Sequence, residues 1–235
     1  MILELIRTIL GSGEFGGDAV LIALVQLIAL AFILLCCLPF HEFAHAWMAN
    51  KLGDETPRFA GRLTLNPFAH LDWLGAAMML LVGIGYAKPV PINPRNMRCG
   101  TQKGLALTSL AGPASNILLA FVILLISNII KAFAGNGSNE TVDLINYFLG
   151  FAARINITLA VFNLLPLPPL DGFNILQIFL PYKAMRFVSQ YHAYIRYALL
   201  AVLLLGWLSQ PIYFLSGMLE RGLSWLADLP FALIG

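Results

Sequence analysis

An apolar run from Ala19 to Phe40 passes directly into His41-Glu42-Phe43-Ala44-His45. Residues four apart on a helix share a face, so both imidazoles can reach one Zn²⁺ while Glu42 lies beside it as a base. A carboxylate and two imidazoles left unpartnered in hydrocarbon cost on the order of 2 to 3 kcal/mol each. Their clustering therefore asks for a partner such as a metal. Two core histidines beside a helix-end carboxylate would suit a soluble protein better than a lipid-embedded one.

Composition places the motif in a bilayer. Of 235 residues, 59% are apolar and 11% charged, against about 25% charged in a soluble domain. The chain reads as an all-α polytopic membrane protein whose surroundings are the lipid bilayer. A formal net charge of +2 gives no footprint for nucleic acid. Cys36, Cys37 and Cys99 make no disulfide framework, since the first two are adjacent and cannot easily bridge each other. Met1 to Leu10 carries Glu4 and Arg7 in a stretch too short for a cleavable signal, so the first span is expected to stay as an anchor.

Residues 1–18 read as a tail, with Met1 to Leu10 an amphipathic surface segment and Gly11 to Gly17 a breaker. Four crossings are expected, at 19–52, 104–133, 142–180 and 194–218, or five if 73–86 also crosses. Pro39 should kink the first of them just before the motif. Between Lys51 and Lys103 the composition changes, and Arg58 to Leu65 could supply short strands. Trp73 to Tyr86 is too short for a comfortable span of about 20 residues and reads as re-entrant. This gives a re-entrant, partly β-like region at 54–102. A non-crossing 73–86 leaves Lys51, Arg58, Arg62, Lys88, Arg95, Arg98 and Lys103 on one side, which the positive-inside rule makes cytoplasmic. Both termini then lie outside, and residues 219–235 form a second tail.

In the third tract, Asn163 to Gly172 carries Pro166, Pro168 and Pro169, which forbid a regular helix there. Asp171 is one of very few carboxylates within apolar sequence, which makes it the natural third ligand; capping of the following helix is the competing role. Both motifs fall toward the cytoplasmic ends of their spans. The second span holds Ala111-Gly112-Pro113 and a buried amide, Asn116, that needs a partner.

Taken together, these residues resemble the site-2 protease family of intramembrane zinc metalloproteases, peptidase family M50, in a compact form without a PDZ domain. His41 to His45 matches the zinc motif, Asn163 to Gly172 the second signature, and Ala111-Gly112-Pro113 with Asn116 the intervening helix. Gly61-Arg62, His70-Leu71-Asp72 and Gly85 to Val90 look like a bacterial and archaeal branch, with Trp73 and Tyr86 departing from its usual pattern. The resemblance covers roughly residues 35–175, the core of a single domain at 19–218. It implies one Zn²⁺ per chain on His41, His45 and Asp171, Glu42 as general base and acid, and regulated cleavage of single-span membrane proteins in a prokaryotic cell membrane. Asn116 and, less directly, His70 are its candidates for stabilising an oxyanion. The alternative is a metal-ion transporter or channel using the same cluster, although few further polar residues mark a path across the bilayer.

Overall fold

A computed structural model describes residues 17–82, 87–134 and 139–232. The expected surface segment at 1–10, the breaker to residue 16, Gly85 and Tyr86, and residues 135–138 of the polar turn lie outside it. The described residues form ten α-helices, a π-helical segment and two 3₁₀ turns, with no strand among them. Helix α1 (Gly17–Phe32) continues through a π segment (Ile33–Cys37) into α2 (Leu38–Leu52), which carries the histidine motif. The long helices α6 (Thr101–Ala134) and α7 (Glu140–Asn163) follow three short ones: α3 (Thr56–Phe59), α4 (Pro67–His70) and α5 (Trp73–Val82). Helix α8 (Asp171–Leu176) is one and a half turns long, and α9 (Tyr182–Leu204) and α10 (Ser209–Ala232) complete the chain.

Three helical stretches are long and apolar enough to cross a membrane: Val20–Leu52, Thr101–Ala134 and Glu140–Asn163. The first and second agree with expected spans. Their core joins Leu30, Ile33, Leu34 and Cys37 to Ile123 and to Ala152 and Ala153. Small residues let α6 and α7 approach closely there. A second cluster, of Ala120, Ile157, Val161 and Leu223, adds α10.

Just before Pro39, where a kink was expected, the helix takes a π turn. Lacking an N–H, Pro39 cannot bond back to Leu35, and the amide of Leu38 reaches Ile33 five residues back. The widened turn sits immediately before His41. Helix α2 then stops at Gly53, whose φ of 112° lets its own amide bond Asn50 and that of Asp54 bond Ala49.

Three boundaries differ from the expectation. The third span ends at Asn163, not near residue 180, because the prolines divert the chain into turns before α8 begins. Residues 194–218 are not one helix: Gly206 takes φ 73°, its amide bonds Leu203 and that of Trp207 bonds Val202. That glycine stop separates α9 from α10, so residues 219–232 lie within α10. Finally, Arg58 to Leu65 is not a strand. Thr56 and Pro57 start a helical turn, and the Arg62 amide closes back on Pro57.

The segment between α2 and α6 is held by buried polar side chains. Asp54, fully buried, accepts from the Thr56 hydroxyl and amide, the Asn93 amide and the Asn96 side chain. Burial alone would raise its pKa, but these hydrogen bonds outweigh it and hold the carboxyl below its ordinary value. The buried Arg62 guanidinium donates to the carbonyls of Ala69 and Lys88. Asp72 caps α5 through the Gly75 amide at 2.9 Å.

Candidate metal centre

His41 and His45 lie one helical turn apart on α2, both buried, and Asp171 opens α8 opposite them. The two Nε2 atoms are 3.0 Å apart, and Asp171 Oδ2 lies 3.5 Å from that of His41 and 3.3 Å from that of His45. Among the described residues this is the one group of three or more His, Cys, Asp or Glu side chains whose donor atoms converge within 4.8 Å. Asp171 does not cap its helix. It is the first helical residue, preceded by Leu170, which makes no side-chain cap.

The triangle has the dimensions a metal requires. Three donors at about 2.0 Å from a tetrahedral ion stand about 3.3 Å from one another, and the observed sides bracket that value. The donor set of two imidazoles and one carboxylate is a catalytic zinc set, leaving one position open. The residues present therefore fit Zn²⁺.

Helix α6 backs both histidines. The ring of His45 is fixed through Nδ1, 2.7 Å from the carbonyl oxygen of Thr108, which turns Nε2 toward His41 and Asp171. His41 Nδ1 is buried without a partner. Gly112, a turn further along α6, lies against both rings. A Cβ there would fall within van der Waals contact of His45 Nε2 and of Cε1 on both rings. Pro113 leaves the Ser109 carbonyl without its usual i+4 donor, opening the helix where α8 approaches. Gly172 is similarly demanded, since a Cβ would collide with the carbonyls of Leu164 and Leu165 as the proline turn folds back over α8.

The remaining candidates lie outside the donor triangle. Glu42 follows His41 on α2 and is half-buried. Asn116 is buried on α6, one turn beyond Gly112, with Oδ1 unpartnered. His70 is fully buried in α4; its Nε2 pairs with the Thr64 carbonyl at 2.8 Å, and its own carbonyl accepts from Lys88. His192 is exposed on α9. Sequence reasoning missed Thr108, Ser109 and Asn174. Asn174 lies three residues after Asp171, and its Nδ2 donates to the buried Ser109 hydroxyl at 2.9 Å.

The model of Peptidase family M50 matches residues 29–206. The chain is 37% identical over 165 residues to "Putative zinc metalloprotease YwhC" of Bacillus subtilis, covering 70% of this chain and 75% of that protein. Rip2 of Mycobacterium tuberculosis strain Erdman, which carries the same designation, is 32% identical over 211 residues, covering 84% of this chain and 76% of that one. MJ0611 of Methanocaldococcus jannaschii, again so designated, is 29% identical over 167 residues, covering 70% and 75%. No solved structure matches the chain.

Proposed function

The chain belongs to peptidase family M50 and is a membrane metalloprotease, and from that premise we propose that it hydrolyses peptide bonds of membrane-spanning substrates within the bilayer. The observation that carries this reading is the buried triangle of His41, His45 and Asp171. These three residues would hold one Zn²⁺. When bound, the ion supplies Lewis acidity and lowers the pKa of a water toward about 7. Glu42 would accept a proton from the attacking water and return it to the departing amine. Asn116, buried one turn beyond Gly112, is the candidate for stabilising the developing oxyanion. His70, whose ring is engaged by Thr64, acts in holding the loop.

A helical substrate hides its carbonyls in its own hydrogen bonds and must unwind locally before it is cut. Residues 87–93 carry no regular secondary structure, and Lys88 is fixed to His70 by one backbone bond. Such a segment offers backbone groups to an unwound chain. Single-span proteins are the expected partners, and the basic residues between α2 and α6 favour a site on the cytoplasmic side of the membrane.

The deciding experiment purifies the protein in detergent, measures its zinc, and incubates it with a panel of single-span substrates, comparing wild type with Glu42→Gln. About one zinc per chain is expected in both. Cleavage in the variant should fall by roughly 10²- to 10⁴-fold. Absence of zinc and of cleavage in wild type contradicts the proposal, and zinc flux across vesicles that survives Glu42→Gln, without any cleavage, favours the transporter.

A further inference from the structure

One turn of α6 holds two of the three donors, by different means. The Thr108 carbonyl orients His45 at 2.7 Å, and the adjacent Ser109 hydroxyl receives Asn174 Nδ2 at 2.9 Å from the helix that begins with Asp171. Ser109 is 3% exposed. Gln177, also buried, donates its Nε2 to the Asn174 carbonyl at 3.1 Å and so closes the end of the same short helix.

Helix α8 needs such a tether. Six residues are too few to be stable alone, and the turns leading into it contain three prolines. Residues three apart on a helix are neighbours on one face, so a bond at Asn174 fixes the rotation of α8 about its axis and with it the direction of Asp171. We propose that Asn174, acting through Ser109, is the positioning residue that sets the Asp171 carboxylate against the two histidines. This deepens the zinc reading and rests on it. Thr108 and Ser109 then form one template, aligning an imidazole from α2 and a carboxylate from α8 before the metal arrives. Partners of metal ligands with this role typically carry 10- to 100-fold of metal affinity.

The test measures zinc affinity of the full-length, detergent-purified protein by competition with a chelator, with Co²⁺ substitution giving the visible spectrum of the site. Ser109→Ala preserves a good helix former in α6 and removes only the acceptor. Asn174→Leu keeps side-chain bulk and removes the donor. Each should weaken zinc binding by about 10- to 100-fold and reduce Co²⁺ absorption in the tetrahedral range, while thermal unfolding of the metal-free protein stays near wild type. The double variant should be no weaker than the worse single one. Asn174→Asp, which can accept from the Ser109 hydroxyl, should recover part of the loss. Affinity within twofold of wild type for Ser109→Ala overturns the inference, as does a double variant whose losses simply add. Asp171→Ala separates the two levels of the argument. If it abolishes zinc binding while Ser109→Ala stays within twofold of wild type, the positioning role fails and the ligand reading stands; a wild-type protein that takes up no zinc sinks both.

Discussion

Two of the places where the chain buries polar side chains are distinguished by what their atoms face. Around Asp54, Arg62 and His70, hydrogen bonds run to backbone carbonyls and amides or to a neighbouring amide or hydroxyl. Around His41, His45 and Asp171, three side-chain donors face one another. The first arrangement satisfies a loop, and the second makes a socket for a cation. Burial of a histidine is therefore no signature of chemistry by itself. His70 is more deeply buried than His41 or His45, with Nε2 on the Thr64 carbonyl and Nδ1 unpartnered.

Breaking the socket should have the largest effect. Asp171→Ala removes one of three ligands, and zinc content after dialysis and peptide cleavage should both fall below detection, read by metal analysis and a gel-based assay. Gly112→Ala should come next. The added methyl meets both imidazoles, and overpacking of this kind costs about 1–3 kcal/mol. It should show as weakened zinc binding with α6 still helical by circular dichroism.

Breaking the loop should spare the metal. Asp54→Asn is expected to lower stability at neutral pH by about 1–3 kcal/mol, measured by thermal unfolding, with zinc content unchanged. The folded-state pKa of Asp54 is lowered, so its contribution is complete above the unfolded value near 3.9. It is lost as pH falls through the folded value, and the wild type and the variant should converge in acid. The smallest effect on the metal belongs to His70→Ala, which should leave zinc affinity within twofold of wild type. A larger loss would join the two regions into one site and end the distinction drawn here.

The socket was legible in the sequence because ionisable residues stand out against apolar surroundings. His41, His45 and Asp171 were found that way, although 126 positions separate His45 from Asp171. Pro39 was legible for its missing N–H, but not the π turn it permits. Thr108 could not have been found, since it orients His45 with a backbone carbonyl that every residue possesses. Asn174 carried a signal, three residues after Asp171 on a helical face, that the prolines before it obscured. The break at Gly206 was hidden for another reason. Apolar residues run on both sides of it, so hydropathy is continuous where the backbone is not. Arg58 to Leu65 looked able to supply short strands, whereas turn chemistry and the inward guanidinium of Arg62 decided otherwise.

X-ray absorption at the zinc edge of the purified protein reads the socket directly. The account predicts a shell of nitrogen and oxygen donors at about 2.0–2.1 Å with the outer-shell pattern of two imidazoles. Sulfur donors at about 2.3 Å, which would bring in Cys36, Cys37 or Cys99, or a site with no imidazole contribution, would contradict it.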